Sequence, residues 1–367
     1  MALRVLSVFG TRPEAIKMAP VIKALETDSR FESRVLVTAQ HREMLDQVLA
    51  FFSIIPDYDL NVMVHGQTLD QITSRVLEGV SEVLAEDQPD VLLVHGDTTT
   101  TFASALAAFY REIPIGHIEA GMRTGDLQQP FPEELNRSLV ARMARYHFAP
   151  SKECVQHLLD EGIPQEFIIR TLHNTGIDAL LLARQMMEQQ GAIPRQENHI
   201  LVTAHRRESW GEPMKGIFQA VAEIAALAPD YTISVAAHAN PLVADDAKAM
   251  LGGVANVSLL KHQSYEEFIA LMSKSKLILS DSGGIQEEGP TLGVPVAVLR
   301  NKTEYGELLD EGVVFLAGTE CGGIVDTALR ILDDEEVAVR LHFFAQARAR
   351  SSSIPLILET LHESTQG

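Results

Sequence analysis

The sequence predicts an α/β protein of two domains, each built around a parallel β-sheet. Short apolar runs alternate with amphipathic stretches of helical spacing through both halves of the chain, a pattern typical of β/α units. The chain has 367 residues, 46% of them hydrophobic, which suits two domains of about 150 to 180 residues better than one core. Polar side chains follow several of the apolar runs, at the strand ends where open parallel sheets bind ligands.

Composition and net charge limit the classes of function that this chain can have. The chain has 30 Lys and Arg residues against 50 Asp and Glu residues, and the formal charge of -20 repels nucleic acids, so no nucleic-acid partner is expected. No apolar run approaches the roughly 18 residues that span a bilayer, and the N-terminus has no secretory cleavage pattern. The two cysteines, Cys154 and Cys321, lie far apart. We therefore expect a cytoplasmic protein without a membrane span, a disulfide or a cysteine metal site.

The first half begins with a strand over residues 4–9, after which G-T-R-P-E-A-I-K opens a helix with Pro13 in its first turn. Arg12 and Lys17 flank this helix start, where backbone N–H groups favour an anion. Neither G-x-G-x-x-G nor G-x-x-x-x-G-K-S/T is present here, which weakens a hydride-transfer or nucleotide-hydrolysing function.

Three carboxylates follow strands or loops of the first half. Asp97 comes after V-L-L-V-H, Glu119 follows the strand at 114–118, and Glu133 opens the helix after Q-Q-P-F-P. Asp97 and Glu133 have structural alternatives, because Asp is a favoured helix N-cap and acidic residues compensate the dipole at a helix start. Together they can converge on one crevice and divide acid and base roles by environment.

The second half repeats the β/α pattern after a boundary that we predict near residues 172–195. The apolar run at 200–204 is followed by His205, Arg206 and Arg207, which indicates a reactive strand end. The alternative is a charged turn at the protein surface.

A glycine-rich segment, D-S-G-G-I-Q-E-E, follows a strand at 276–280. Ser282, Gly283 and Gly284 offer backbone N–H groups and a hydroxyl to a diphosphate, and Glu288 offers two oxygens to a ribose diol. The alternative is a plain glycine-rich turn. The sequence has no H-E-x-x-H motif or Cys/His cluster, so no catalytic metal is expected.

Seven motifs together resemble those of the bacterial non-hydrolysing UDP-N-acetylglucosamine 2-epimerases, over nearly the whole chain. They are G-T-R-P-E-A-I-K-M-A-P at 10–20, A-Q-H-R-E-M-L-D-Q-V-L at 39–49, H-G-D-T-T-T-T at 95–101, E-A-G-M-R-T-G-D at 119–126, F-P-E-E-L-N-R at 131–137, A-H-R-R-E at 204–208 and D-S-G-G-I-Q-E-E at 281–288. The resemblance implies the glycosyltransferase-B architecture: two Rossmann-like domains facing across a cleft, with the C-terminal helix returning to the first domain. The implied parts are an N-terminal domain at 1–172 carrying the carboxylates, a connection at 173–195, a UDP-binding domain at 196–350 and the C-terminal helix at 351–367.

The resemblance also implies an activity. Family members convert UDP-GlcNAc reversibly into UDP-ManNAc by eliminating UDP to 2-acetamidoglucal and adding it back, without cofactor or metal. A cytoplasmic homodimer serving cell-surface polysaccharide biosynthesis is implied as well. By motif position the catalytic residues are Asp97, Glu119, Glu133 and His205. The implied substrate-binding residues are Arg12, Lys17, Gln263, Phe268, Ser282, Gly283, Gly284 and Glu288.

The chain departs from the family pattern in its second half. Tyr305 stands in T-E-Y-G-E where relatives usually read T-E-R-P-E, and residues 343–348 read F-F-A-Q-A-R in place of N-P-Y-G-D-G. These changes bear on nucleotide affinity and sugar identity more than on the reaction, because the carboxylates and His205 are intact. Some relatives bind a second UDP-GlcNAc as an activator, but Glu43 and Gly66 differ from those members, so activation stays an open question.

Two further functions remain as alternatives to the epimerase. One is a related enzyme, either a hydrolysing epimerase that releases free ManNAc or a glycosyltransferase of the same architecture. The other is a catalytically silent nucleotide-sugar sensor.

Overall fold

The computed structural model describes residues 2–39, 42–64, 66–204, 206, 211–236, 241–261 and 263–363. The chain divides into two compact units, the first formed by Met1–Leu182 with Ser352–Gly367 and the second by Ala183–Ser351. Each unit has one sheet of parallel strands alternating with helices, so the predicted α/β fold class is confirmed.

The first unit is a doubly wound parallel sheet. Its sheet has the order β3-β2-β1-β4-β5-β6-β7 within the described residues. Its elements are β1 (Leu3–Phe9), α1 (Arg12–Thr27), β2 (Phe31–Val37), α2 (Arg42–Phe51), β3 (Tyr58–Asp59), α3 (Leu69–Asp87), β4 (Val91–His95), α4 (Thr99–Phe109), β5 (Ile115–Ile118), α5 (Glu133–Met143), β6 (Tyr146–Ala149), α6 (Lys152–Asp160), a 3-10 turn (Gln165–Phe167), β7 (Ile168–Arg170), α15 (Ile354–Glu363) and the first half of α7 (Thr175–Gln189), a helix that continues into the second unit after Leu182. The connections from β1 and β4 lead to strands on opposite sides of that pair, which makes a crevice at the carboxyl ends of the two strands.

Local sequence explains the helix boundaries in this unit. α3 begins after Thr68, whose side chain forms a capping box with Gln71, and it ends at Gln88, which takes a left-handed φ of 49°. Val76 and Val80 recur one turn apart and are fully buried, so this helix packs its apolar face on the sheet.

β2 is longer than the sequence predicts. The apolar pattern indicates a strand at 36–38, whereas the observed strand is Phe31–Val37. Glu32 and Arg34 interrupt the apolar pattern, but they pair with one another at 2.7 Å at the sheet surface. Ion pairing therefore allows charged side chains in this strand. Hydrophobic periodicity alone does not predict its full length.

The C-terminal helix α15 packs on the first unit. Ile357 and Leu361 are fully buried, and Glu359 accepts a hydrogen bond from Arg30 Nη1 at 2.9 Å. The chain thus returns to the unit in which it begins.

The second unit repeats the winding of the first. Its sheet has the order β10-β9-β8-β11-β12-β13 in the part of the chain that the structure describes. Its elements are β8 (His199–Thr203), α8 (Glu212–Leu227), β9 (Thr232–Ala236), α9 (Pro241–Leu251), β10 (Val257–Leu260), α10 (Tyr265–Lys274), β11 (Leu277–Ser280), α11 (Gly283–Thr291), β12 (Val296–Val298), α12 (Gly306–Asp310), β13 (Val314–Leu316), α13 (Cys321–Asp333) and α14 (Glu335–Ala349). β8 and β11 are the pair at which the strand order reverses, and the glycine-rich segment follows β11 directly.

The altered segment at 343–348 is helical and belongs to α14. Phe344 is buried on the protein side of this helix, while Phe343 is exposed. None of the helices in the described ranges combines the length and apolar character needed to cross a membrane.

Candidate active site

The predicted carboxylates of the first unit lie at the carboxyl edge of its sheet, beside the β1–β4 pair. The backbone after β1 is closely packed, because a methyl group on Gly10 would come within 2.1 Å of Thr38 Oγ1 and 2.6 Å of Thr100 Oγ1. Those two hydroxyls are hydrogen-bonded to each other at 2.9 Å. Only glycine therefore fits where the first loop passes its neighbours.

Glu14 holds the two loops of this pair together. Its buried carboxylate accepts bonds from the β1–α1 loop and from the start of α4. The donors are Gly10 N at 3.1 Å, Thr11 N at 2.8 Å, Thr11 Oγ1 at 2.8 Å, Thr98 Oγ1 at 2.7 Å and Thr101 Oγ1 at 3.0 Å. A carboxylate with this many donors is well compensated for its burial.

Both the backbone and the side chain of Glu119 are constrained. It follows β5 with a φ of 65°, a left-handed conformation that is uncommon for residues other than glycine and clusters at functional sites. Its Oε2 accepts hydrogen bonds from Lys17 Nζ and from Asn174 Nδ2. Burial alone raises the pKa of Glu119, but the Lys17 cation and the two donors outweigh it and lower the pKa to about 2.

Asp97 has the opposite electrostatic environment. Burial raises its pKa to about 6 against the lowering effect of Arg137, and the nearby Glu119 and Glu133 carboxylates add to the rise. Arg137 Nη2 contacts Asp97 Oδ2 at 2.9 Å, and the Asp97 side chain keeps 30% of its surface exposed. The helix N-cap is Thr98, which accepts from Thr101 N. Asp97 is therefore not the capping residue, and its carboxyl group faces the site.

Two adjacent acidic residues at the start of α5 have different contacts and different roles. Glu134 is buried and accepts hydrogen bonds from Thr124 N and Gly125 N at 3.0 Å, which fixes the loop after β5. Glu133 is half-buried in the first helical turn and acts electrostatically on Asp97. Glu133 can therefore take part in the site, while Glu134 is structural.

Two histidines behind the carboxylates are neutral. Burial lowers the pKa of His95 to about 4, and its Nε2 lies 3.7 Å from Glu119 Oε2. Burial lowers the pKa of His117 to about 3, and its Nε2–H donates to Gly96 O at 2.7 Å. Lys17 and Arg137 thus provide the positive charge beside the carboxylates.

This arrangement gives two neighbouring carboxyl groups different pKa values. Asp97 exchanges a proton near neutral pH, whereas Glu119 stays ionised throughout the physiological range. Environments that move two pKa values apart are typical of sites that need both a proton-transfer group and a permanent anion. Among the described residues, no group of three or more His, Cys, Asp and Glu side chains is arranged to hold a metal ion.

In the second unit the predicted diphosphate segment begins a helix. Ser282 is the N-cap residue of α11, so the backbone N–H groups of Gly283 and Gly284 lie in its first turn. A side chain at Gly283 would meet Glu304 Oε1 at 3.1 Å, Arg206 Nη2 at 3.6 Å and Tyr305 Cε2 at 3.7 Å. The glycine-rich segment is therefore a helix N-terminus with charged neighbours and not a plain turn.

Charged groups surround this helix start. Buried Asp281 accepts a hydrogen bond from Arg206 N at 3.0 Å, and Arg300 Nη1 pairs with Glu304 Oε2 at 2.9 Å. Arg206 Nη2 lies 3.9 Å from Glu304 Oε1. Arg206 and Arg300 thus both lie beside Glu304, whose carboxylate is close to the Gly283 backbone.

The other predicted binding residues lie on or beside three helices, α10, α11 and α1. Gln263 precedes α10 and donates to Lys261 O at 2.7 Å, and Phe268 is half-buried on that helix. Glu288 lies one turn into α11, with its Oε1 3.8 Å from the position of a methyl group on Gly284. Arg12 begins α1. His205 lies outside the described residues.

Three further residues of the first site were not predicted from the sequence. Glu14 shows a sequence signal for a capping box, but its contacts to Thr98 and Thr101 depend on the fold. Arg137 lies one turn after Glu133 on α5, a spacing that indicates proximity. Asn174 lies 55 residues from its partner Glu119, and sequence pattern alone cannot find that contact.

The family model for UDP-N-acetylglucosamine 2-epimerase matches residues 23–356. The chain belongs to the UDP-N-acetylglucosamine 2-epimerase family. A relative from Salmonella typhimurium, named UDP-N-acetylglucosamine 2-epimerase, is 53% identical over 344 residues, with 91% of each chain covered. The resemblance predicted from the motifs is confirmed.

Solved structures of this epimerase family agree with the fold. The crystal structure of UDP-GlcNAc 2-epimerase from Neisseria meningitidis bound to UDP-GlcNAc has a TM-score of 0.84 and 43% identity, covering 98% of this chain and 100% of that one. A glycosyltransferase from Streptomyces nogalater has a TM-score of 0.60 at 16% identity, with 100% and 99% of the two chains covered, and shares the fold alone. The predicted glycosyltransferase-B fold class is therefore confirmed.

We predict that Glu14→Gln destabilises this epimerase-family chain by about 1 to 3 kcal/mol, because an amide accepts hydrogen bonds at one end only and leaves buried donors without an acceptor. Chemical denaturation measures the free energy of unfolding. Glu26→Gln is the matched control on the same helix, since Glu26 pairs with Lys23 at the surface and its loss should change stability by less than about 0.5 kcal/mol. Equal stability of the two variants would contradict a joining role for Glu14.

Proposed function

We propose that the protein is a UDP-N-acetylglucosamine 2-epimerase, which interconverts UDP-GlcNAc and UDP-ManNAc at C2 of the sugar. Family membership supports the reaction class. The observation that carries the proposal is the carboxylate pair of Asp97 and Glu119, whose pKa values of about 6 and about 2 lie on opposite sides of the usual carboxyl range.

The chemistry of the substrate favours elimination. The C2–H bond of an N-acetylhexosamine is not adjacent to a carbonyl carbon, so removing the proton and returning it directly is too costly. When a base removes the C2 proton, the C–H electron pair forms the C1=C2 bond of 2-acetamidoglucal. The C1–O bond breaks and UDP departs with its electron pair. Re-addition of UDP with a proton on the opposite face of C2 gives the epimer, and no oxidant or reductant is consumed.

Asp97 is suited to transfer the proton. A pKa near 6 leaves this carboxylate mostly ionised at neutral pH and still basic enough to accept a proton. Return of the proton on the other face needs a second group, and Glu133 is a carboxylate within electrostatic reach of Asp97. We propose that the ionised Glu119 stabilises the positive charge that develops at C1 as UDP leaves.

The departing diphosphate needs positive groups. We propose that it binds the Ser282–Gly284 backbone at the N-terminus of α11, with Arg206 beside it. The resemblance adds Arg12, Gln263, Phe268 and Glu288 as residues that bind the nucleotide or sugar. Tyr305 lies against Gly283 and can contact the diphosphate through its hydroxyl in place of the usual arginine.

We predict that UDP-GlcNAc incubated with the enzyme in D₂O yields UDP-ManNAc with deuterium at C2, observed by proton NMR, because the departed proton exchanges with solvent. Asp97→Asn, Glu119→Gln and Glu133→Gln should each lower turnover by about 10²-fold or more. Asp160→Asn, which removes an exposed carboxylate on α6, is the matched control and should turn over normally.

The products distinguish the alternatives in the same experiment. Free ManNAc with UDP indicates a hydrolysing epimerase, transfer only to an added acceptor indicates a glycosyltransferase, and UDP binding without turnover indicates a sensor. Retention of the original hydrogen at C2 would exclude elimination with solvent exchange.

We predict that kcat/KM rises with pH through an acid limb near pH 6, because Asp97 must lose its proton before it accepts one from C2. Arg137 lowers the pKa of Asp97, so Arg137→Met should move that limb to higher pH. Arg142→Met removes an exposed arginine from the same helix and should leave the limb in place. A limb that stays at the same pH in the Arg137 variant would contradict the assignment.

We predict that Gly283→Val abolishes UDP binding measured by calorimetry, because the added side chain meets Glu304 and fills the backbone approach at α11. Gly322→Ala is the matched control, since nothing lies within 4 Å of its added methyl group. If Gly283→Val binds UDP as tightly as the parent, the diphosphate binds elsewhere.

We also infer that the protein is a homodimer in the cytoplasm. Unpaired Cys154 and Cys321 suit a reducing compartment. The exposed Phe109 and Tyr110 at the end of α4 provide an apolar surface that a second copy can cover. Light scattering that gives the mass of a single chain would contradict the dimer.

A further inference from the structure

Asn174 makes a hydrogen bond at each end of its side-chain amide. Its Oδ1 accepts from Gly176 N at 2.9 Å, and its Nδ2 donates to Glu119 Oε2. Because a backbone N–H can only donate, it fixes the oxygen end of the amide toward Gly176. The NH₂ end is then directed at Glu119 and cannot be exchanged with the oxygen without breaking both bonds.

Asn174 is placed at the start of a long helix. It directly precedes α7, and its bond to Gly176 N satisfies one of the N–H groups that a helix start leaves without an intrahelical partner. Lys17, the second donor to Glu119, also packs here, since its Cγ would lie 3.7 Å from a methyl group on Gly176. Both donors to Glu119 therefore meet at the first turn of α7.

A buried polar cluster anchors this turn. Asp178 Oδ1 accepts from Ser352 Oγ at 2.6 Å and from Ser353 N at 3.2 Å. Ser353 Oγ accepts from His173 N at 3.1 Å and donates to His173 O at 2.8 Å. The cluster joins the residues on either side of Asn174 to the segment at which the chain re-enters the first unit, so the backbone that carries the amide is held on two sides.

Glu119 needs such a support. Its backbone is in the left-handed region, and both donors bind the same oxygen, Oε2. Oε1 is the oxygen turned toward Gly96, 3.7 Å from the position of a methyl group there, and Gly96 directly precedes Asp97. Holding Oε2 through two donors thus leaves Oε1 on the side of Gly96, the residue before Asp97.

We propose that Asn174 is a positioning residue, which orients Glu119 and ties it to the first turn of α7. For catalysis the inference rests on the proposed function, because Glu119 is assigned there to the reacting sugar. Asn174 acts through Glu119 and takes no part in proton transfer.

Helix capping is the competing explanation for Asn174, and substitutions separate the two roles. Ser, Asp and Asn are comparably good N-caps, so capping alone predicts similar behaviour of Asn174→Ser and Asn174→Asp. Positioning predicts a graded loss, because Ser lacks the NH₂ donor and Asp replaces it with an anion facing Glu119.

Kinetics with UDP-GlcNAc test the catalytic part. Asn174→Ser should lower kcat about tenfold and Asn174→Asp about 10²-fold, the order of loss that a misplaced catalytic group produces, with KM changed less than about threefold because uniform substrate binding is retained. The control is Asn256→Ser, which removes an amide that donates to Ala225 O and Tyr231 O. That control should keep the parent kcat after any loss of thermal stability is accounted for.

A thermal-unfolding cycle tests the contact without any assay of activity. Asn174→Asp should lower the Tm in the parent, where two carboxylates then face each other. The same change should not lower the Tm in a Glu119→Gln background, because the side-chain amide introduced by that substitution can donate to the new carboxylate. This non-additivity measures the 174–119 contact directly.

The outcomes are distinct. Equal kcat values for the Ser and Asp variants would overturn the positioning role, and additive Tm changes would overturn the contact. If the parent turns over no UDP-GlcNAc, the proposed function fails, while the Tm cycle still decides whether Asn174 orients Glu119.

Discussion

The ion pair between Lys17 and Glu119 is the interaction on which the first site depends. Glu119 is buried, and a buried carboxylate without a partner takes up a proton or destabilises the fold. Lys17 and Asn174 keep it ionised, with a pKa of about 2. The fixed negative charge then helps to raise the pKa of Asp97. This ion pair keeps Glu119 ionised, and the charge of Glu119 adds to the rise in the pKa of Asp97 that burial mainly causes.

Parallel-sheet topology decides where these charges meet. In both sheets the strand order reverses between two central neighbours, β1 and β4 in the first and β8 and β11 in the second. Loops after such strands diverge and leave room for a ligand at the carboxyl edge. The first sheet uses this edge for carboxylates and Lys17. The second has the N-terminus of α11 and nearby guanidinium groups at this edge.

Buried polar side chains hold the loops around the site in place through hydrogen bonds. Glu14 joins two loops through five hydrogen bonds, Glu134 holds the loop after β5, and Asp178 joins the chain segments beside α7. These buried carboxylates are costly to desolvate and are retained where several donors compensate them. Acidic residues in this fold therefore have two separate uses. Some bind backbone and hydroxyl groups, while Asp97 and Glu119 remain directed at the site.

The sequence by itself determined the α/β class, the motifs of the epimerase family and the strand-end position of Asp97 and Glu119. Periodicity and turn residues are local, and short motifs record the loops that bear the chemistry. It did not reveal the full length of β2, because Glu32 and Arg34 interrupt the apolar pattern. Only the tertiary structure distinguished Thr98 from Asp97 as the helix cap, separated Glu133 from Glu134, and brought Asn174 to Glu119 across 55 residues. A pKa depends on burial and on charges from distant parts of the chain, and those become neighbours only when the sheet is assembled.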